Sequence, residues 1–286
     1  MKISTREVPA NGLTFRCREA AAPGEPVLLL HGFPETSHMW TRLMDDLSDQ
    51  GYHCLAPDQR GYSPGARPPD VEAYGYEQLA RDILEIPAAA GFDRFHLVAH
   101  DWGACASWAA LALDTGHIAS FVSLSIPHYR AFAEAVYADP DEELYRGVLD
   151  LLTAPDHLAE GVMGADDCAP LVSAWVSSSP AEIEDYLGVF RQDGALTGAL
   201  NWYRASRAHR RALDDPDAPF AAVTTPTLLI WGRDDPYVRR MSVELAAPLM
   251  VGDYRVVELD AGHWLIQDCY ETISTEVADH LRRHPC

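Results

Sequence analysis

The sequence predicts an α/β protein with a mostly parallel central sheet flanked by helices. Short apolar runs such as VLLL and TLLIW are continuous, as in strands that are buried on both faces. These runs alternate with longer segments of helical periodicity. The alternation stops between Pro127 and about Pro216, where only helical patterns remain. The sequence therefore predicts one α/β core that carries a helical insertion.

The predicted strands are short apolar runs bounded by turn residues. They are Leu13–Cys17, Val27–Leu30, Tyr52–Ala56, Phe95–Ala99, Phe121–Ile126, Thr227–Trp231 and Tyr254–Leu259. The predicted core helices have apolar residues spaced three or four apart. They are Trp40–Ser48, Tyr76–Ala90, Gly103–Leu113, Met241–Pro248 and Ile266–Arg283.

The insertion is predicted to form a lid over the carboxyl edge of the sheet. Its helices are Tyr129–Ala138, Glu142–Leu152, Ala181–Phe190 and Ala195–Arg211. We therefore expect a core of residues 1–127 and 217–286 and a helical cap of residues 128–216.

The charge of the chain excludes several classes of partner. The 286 residues include 22 Lys and Arg against 43 Asp and Glu, a net charge of −21. Such a surface repels nucleic acid and anionic membranes, and we expect neither as a partner. No apolar run approaches the length of a membrane span, and the N-terminal segment MKISTREVPANG lacks the apolar core of a signal peptide. We expect a cytoplasmic protein.

The six cysteines are scattered without C-x-x-C pairing, which predicts reduced thiols. No Cys and His cluster has the spacing of a zinc site. We therefore expect neither a metal nor a cofactor.

The segment RFHLVAHDWGACASWAALAL, residues 94–113, predicts a buried strand, a tight turn and a helix, with Asp101 at the turn. The positive end of the helix dipole favours an anion there. A poorly solvated carboxylate that faces a pocket is a nucleophile that needs no base of its own. An ordinary helix N-cap is the alternative for an isolated Asp, and two distant segments favour the nucleophile.

Those two segments contain a histidine and an acid. LDAGHWLIQD places His263 between a strand and the final helix, and LLIWGRDDPYV ends a strand with Asp234 and Asp235. An acid at this turn can orient the imidazole and stabilise its protonated form. The chain order of nucleophile, acid and histidine is that of the α/β-hydrolase triad.

The oxyanion hole has candidates as well. In that fold the loop after an early strand supplies one N–H group, and in VLLLHGFPETSHMW the candidate is Phe33. The backbone N–H of Trp102 is the second candidate.

Five motifs in order, HGFPE, DQRGY, HDWG, WGRDD and AGHW, resemble those of the epoxide hydrolase and haloalkane dehalogenase branch of the α/β-hydrolases, with the soluble epoxide hydrolases most similar. The resemblance covers nearly the whole chain. It implies an α/β-hydrolase fold with the cap inserted after the sixth core strand. It also implies that the acid is Asp235, three residues after Gly232. The alternative place for the acid is the end of the preceding core strand, but that strand ends in SLSIPH, which has no carboxylate.

The resemblance implies that a small, mostly apolar epoxide is opened to a vicinal diol through an ester on Asp101. The cap segment GALNWYRAS is similar to one that holds a proton-donating tyrosine, which implies Tyr203 for this role. For a second tyrosine, the alignment places Val148 at the family position and Tyr145 one turn earlier. Trp175 and Trp202 are expected to line the pocket.

Other functions stay open at this point. A haloalkane dehalogenase would use the same triad, with the indoles of Trp102 and a cap tryptophan such as Trp175 binding halide. A receptor of this fold or a repurposed biosynthetic catalyst could retain the same motifs. A homodimer also stays open.

Overall fold

The computed structural model describes residues 3–114, 116–138, 143–155, 157–209 and 222–286, without the side chains of 137–138, 143–146 and 207–209. Its centre is one sheet with strands in the order β1-β2-β4-β3-β5-β6-β7-β8. Strand β2 is antiparallel to β1 and β4, and all other neighbours are parallel. The strands are β1 Ser4–Ala10, β2 Leu13–Ala20, β3 Pro26–Leu30, β4 His53–Pro57, β5 Phe95–His100, β6 Ile118–Leu124, β7 Thr227–Gly232 and β8 Tyr254–Leu259. The predicted α/β class is confirmed.

One group of helices flanks the sheet, and a second group follows β6 in the chain. They are α1 Thr41–Asp49, α2 Tyr76–Ala89, α3 Trp102–Leu113, α4 Tyr129–Ala138, α5 Glu143–Leu152, α6 Leu158–Met163, α7 Ala165–Val172, α8 Pro180–Phe190, α9 Ala195–His209, α10 Arg240–Ala246, α11 Leu265–Asp268 and α12 Tyr270–Arg283. We call α4–α9 the cap helices. They begin after the sixth strand, as the family resemblance implies, whereas the boundary expected near residue 216 lies outside the described residues.

Strand β1 has no counterpart among the predicted strands. Its sequence STREVPA is mostly polar, and only Val8 and Ala10 of the strand are buried. It forms because its backbone pairs with β2 from Ser4 opposite Glu19 to Ala10 opposite Leu13. An edge strand of this kind depends on its partner rather than on its own apolar pattern.

The predicted single helix Ile266–Arg283 is wrong, because the structure has two helices there. Cys269 lies between them with φ −130° and ψ 36°, which is not helical. Gln267 on the first helix donates to Glu35 at 2.6 Å, and Tyr270 on the second donates to Asp46 at 2.5 Å. These tertiary contacts hold the two segments in different directions, and no Pro or Gly marks the break.

Helices α6 and α7 were also absent from the prediction. Helix α7 contains left-handed backbone at Asp166, Asp167 and Cys168 and a proline at Pro170, so its apolar spacing is irregular. None of the helices in the described ranges is long and apolar enough to cross a membrane.

The turn between β5 and α3 brings the start of α3 against the end of β3. A Cβ atom at Gly103 would lie 2.6 Å from the carbonyl oxygen of Leu30 and 2.7 Å from that of His31. The first nine residues of α3 are all buried, so the helix has little room to move away. Only glycine permits this approach.

We therefore expect Gly103→Ala to lower the free energy of unfolding by about 1–3 kcal/mol, because backbone must shift to relieve the overlap. The matched control is Gly188→Ala in α8, where a Cβ meets nothing within 4 Å. That change should raise stability by about 0.5–1 kcal/mol, since alanine is the better helix former. Urea unfolding of both variants measures the difference. Equal stability of the two variants would contradict the packing argument.

Candidate active site

Asp101 lies at the turn between β5 and α3 in a strained backbone conformation. Its φ of 50° and ψ of −120° are rare for a residue with a side chain. Such a conformation costs about 1–3 kcal/mol and is held by the surrounding structure. The turn directs the carboxylate into a cavity that the cap helices cover.

The Asp101 carboxylate is partly buried, with 16% of its side chain exposed, and has specific partners. Its Oδ1 accepts a hydrogen bond from the Phe33 backbone N–H at 2.8 Å. The N–H of Trp102 is the first of α3, where backbone donors have no acceptor within the helix. Burial acts to raise the pKa of Asp101, but His263, His100 and the Phe33 N–H together lower it below the usual value. The group is therefore ionised at neutral pH.

His263 lies between two carboxylates. Its Nδ1 donates to Oδ2 of Asp235 at 2.7 Å, and its Nε2 is 3.5 Å from Oδ2 of Asp101. The other oxygen of Asp235 accepts from the N–H groups of Tyr237 and Val238 at 2.8 and 3.1 Å. The neighbouring Asp234 is exposed. The structure thus brings Asp101, His263 and Asp235 together as the sequence predicts.

The two carboxylates keep His263 protonated. Burial acts to lower the pKa of His263, but the charges and hydrogen bonds of Asp235 and Asp101 outweigh it and raise the pKa to about 10. The backbone of this histidine is held as well, since its carbonyl accepts from Nε2 of His100 at 3.0 Å and from Oγ of Ser125 at 3.2 Å. The resting site therefore contains one imidazolium between two carboxylates.

The carboxylate and the imidazolium face a cavity of about 400 Å³, a size typical of small-molecule sites. Among the described residues that line it, Asp101 and His263 are the ionised ones and most others are apolar. The lining from the cap consists chiefly of Tyr129, Phe132, Ala133, Val136, Val148, Leu149, Leu152, Met163, Leu171, Ala174 and Tyr203. The cavity suits an uncharged, mostly apolar molecule.

Tyr203 on α9 places a phenol ring from the cap in the cavity wall. Its ring packs edge-on against those of Phe33 and Trp102, with centroids 5.4 and 4.9 Å apart. The residue lines the cavity and is 9% exposed. A cap residue thus contacts both residues that carry the oxyanion-hole candidates.

The position of α9 is fixed by contacts with the loop after β4. The indole N–H of Trp202 donates to the carbonyl of Arg60 at 2.8 Å. The Arg60 guanidinium forms two 2.7 Å hydrogen bonds with Asp82, and both side chains are buried. A Cβ at Gly198 would lie 2.6 Å from the Cα of Gly61, so α9 packs directly on this loop.

The expectation that Trp175 and Trp202 line the pocket is wrong. The indole of Trp202 turns to Arg60, and the Trp175 ring packs against Tyr186 and Phe190 within the cap. Both tryptophans are 2% exposed and neither borders the cavity. The large indole side chains favour burial between helices. The position of a tryptophan in a cap segment does not show whether its ring faces the cavity or is buried between helices. The side chain of Tyr145 lies outside the described residues, and Val148 lines the cavity.

Sequence reasoning missed several polar residues of the cavity wall, namely Cys105, Tyr129, Ser173, Ser206 and Tyr237. Cys105 lies one helical turn after Asp101, and Tyr237 lies two residues after Asp235. Their spacing from the triad could have marked both. The Tyr237 ring packs edge-on against His263 with centroids 5.1 Å apart.

Potential metal ligands are grouped elsewhere in the molecule. Within the described part of the chain, one group of three such residues lies close together, namely Glu25, His96 and Cys286. It is separate from the triad.

Comparisons with known proteins agree with this architecture. The alpha/beta hydrolase fold family model matches residues 25–268. A relative from Mycobacterium tuberculosis named epoxide hydrolase A is 34% identical over 302 aligned positions, covering 92% of each chain.

Two solved structures illustrate the range of neighbours. Epoxide hydrolase A from Mycobacterium thermoresistibile is 29% identical, with a TM-score of 0.75 and 98% coverage of both chains. A putative acyltransferase from Salmonella enterica has a TM-score of 0.88 at 22% identity, covering 99% of this chain and 96% of its own. The second likeness shows the fold alone. The family model and the mycobacterial relative together show that this chain belongs to the alpha/beta hydrolase fold family.

Proposed function

We propose that the protein is an epoxide hydrolase that opens a small, mostly apolar epoxide to a vicinal diol. The observation that carries this proposal is the Asp101 carboxylate, which is held between the Phe33 N–H and His263 and faces an apolar cavity. The names of the mycobacterial relatives support the same substrate class. A carboxylate suits displacement at saturated carbon, whereas the serine of many hydrolases suits attack on a carbonyl.

In the first step, Asp101 attacks an epoxide carbon and the carbon–oxygen bond of the ring breaks. The Tyr203 hydroxyl donates its proton to the ring oxygen, which leaves an ester on Asp101 and a phenolate. Esterification removes the negative charge of Asp101, one of the causes that raise the pKa of His263. The imidazolium then returns a proton to the phenolate through solvent.

In the second step, neutral His263 takes a proton from water, which attacks the carbonyl carbon of the ester. The oxyanion forms on the Asp101 carboxyl oxygen and is bound by the N–H groups of Phe33 and Trp102, each worth about 3 kcal/mol. The departing alkoxide takes up the proton of His263, which releases the diol. The new carboxyl proton returns to His263, so the resting ion pair is restored and no cofactor takes part.

The cavity also bears on the dehalogenase alternative. The cap tryptophan predicted to bind halide together with Trp102, Trp175, is packed away from the cavity. Tyr203, by contrast, lines the cavity and packs against Trp102, the residue after Asp101, which supports its role as the acid. The contacts therefore favour epoxide opening.

We expect His263→Gln to accumulate the ester on Asp101, because alkylation needs no base and hydrolysis does. The variant is incubated with separate panels of epoxides and bromoalkanes, followed by intact-protein and peptide mass measurement. An Asp101 adduct equal in mass to the whole epoxide supports the proposal. An adduct that lacks bromine, formed from bromoalkanes alone, would instead make the protein a dehalogenase. Absence of any Asp101 adduct in folded protein would overturn both.

We expect Tyr203→Phe to slow epoxide opening by about 100-fold or more, the usual contribution of a general acid. Pre-steady-state ester formation measures this rate. Displacement of bromide from a bromoalkane needs no proton and should change less than threefold, if it occurs. Tyr129→Phe is the matched control, since it removes another hydroxyl from the same cavity wall. Unchanged epoxide opening in Tyr203→Phe would remove this residue from the mechanism.

We expect Asp235→Asn to lower the pKa of His263 from about 10 toward its ordinary value of 6.5, because a negative neighbour is lost. The stability that protonated His263 provides is complete below pH 6.5 and is lost as the pH rises through 10, so the variant should lose it at lower pH. An NMR titration of the imidazole measures the pKa. Asp234→Asn is the control and should leave it unchanged. The opposite pattern would make Asp234 the acid.

A further inference from the structure

Three side chains of different chemistry converge at the edge of the sheet opposite the triad. They are Glu25, His96 and Cys286, and one ligand atom of each lies within 4.8 Å of the other two. Glu25 directly precedes β3, His96 is the second residue of β5, and Cys286 follows α12. Asp101 lies five residues beyond His96, roughly 16 Å away along the strand. The cluster is therefore independent of the reaction proposed above.

His96 is held with one ring nitrogen facing the other two residues. The side chain is fully buried, and its Nδ1 forms a 2.9 Å hydrogen bond with Oγ of Ser120 on the adjacent strand β6. Its Nε2 points to Oε2 of Glu25 at 3.2 Å. Metal-binding histidines are commonly oriented in this way, by a hydrogen bond at the nitrogen that does not bind the metal.

Glu25 and Cys286 approach the same point from the surface. The backbone N–H of Cys286 donates to Oε1 of Glu25 at 3.0 Å, so the two residues are already in contact. The Glu25 side chain is 35% exposed and Cys286 is exposed, which leaves a path from solvent to the cluster. Parallel pairing of β3 with β5, with Val27 opposite His96, sets the distance between Glu25 and the imidazole.

We propose that these residues form a binding site for Zn²⁺, with ligands from the Glu25 carboxylate, Nε2 of His96 and the Cys286 thiolate. Oxygen, nitrogen and sulfur donors are the ligands that Zn²⁺ takes in proteins, at about 2.0–2.3 Å. Water from the exposed side completes a tetrahedral set. The thiol proton passes to solvent on binding, and no electron transfer is involved.

The ion would join parts of the chain that are distant in sequence. Glu25 is 71 positions from His96 and 261 positions from Cys286. Binding to the folded chain alone would stabilise it in proportion to the logarithm of the zinc concentration. A zinc ion at this edge of the sheet would therefore hold the segment after α12 against β3 and β5.

The test is zinc protection of the Cys286 thiol in the wild-type protein. The protein is treated with iodoacetamide in the presence and absence of one equivalent of Zn²⁺, and the alkylation rate of each cysteine is measured from peptide masses. We expect Zn²⁺ to slow alkylation of Cys286 at least tenfold. Cys269, which is partly exposed and outside the cluster, is the internal control and should react at the same rate in both samples.

Substitutions in the cluster, with one control outside it, separate this site from weak binding to the acidic surface, because the net charge of the chain is −21. Glu25→Gln should abolish protection of Cys286, and Cys286→Ser should remove one tightly bound zinc per chain, whereas Cys269→Ser should retain it. All should keep the wild-type turnover rate. His96→Gln should also abolish protection of Cys286. If His96→Gln does not fold, the Glu25→Gln variant alone tests the proposal. Equal Cys286 alkylation with and without Zn²⁺, or protection that survives Glu25→Gln, would overturn the proposal.

Discussion

Partial burial of the Asp101 carboxylate is the constraint on which the rest of the site depends. An isolated ionised carboxylate in an apolar cavity is strongly unfavourable. Here the Phe33 N–H and the His263 imidazolium compensate it, and Asp235 in turn keeps His263 charged. The charges of Asp235 and Asp101 both raise the pKa of His263, so loss of either charge lowers it. In the proposed reaction, esterification of Asp101 would remove one of these charges and so favour the neutral imidazole that acts as the base.

The same constraint explains the backbone around the site. Asp101 adopts a strained conformation that only close packing can maintain, and the direct approach of Gly103 to the end of β3 supplies that packing. Specific contacts also hold the cap helix α9 in place. The buried Arg60–Asp82 pair holds the loop on which α9 rests, and Trp202 bonds to the Arg60 carbonyl. Tyr203 therefore has a fixed place in the cavity wall, against Phe33 and Trp102.

Errors in the sequence predictions have a common physical origin. Trp175 and Trp202 were expected in the pocket because they lie in cap segments, yet helix packing directs both indoles elsewhere. Strand β1 is too polar to be recognised without its partner β2. The break at Cys269 has no local signal, because contacts with other elements produce it. In each case the deciding contact comes from residues distant in sequence.

The sequence by itself determined the α/β class and the helical insertion, and it marked Asp101, His263 and two neighbouring aspartates as candidates for the triad. Buried parallel strands are continuously apolar, and the turn residues that present Asp101, Asp235 and His263 are local in the chain. Only the tertiary structure decided which aspartate contacts His263, how far the pKa values shift, and which cap side chains face the cavity. It alone brought Glu25, His96 and Cys286 together. These properties depend on distances between atoms of different elements, which local sequence patterns do not encode.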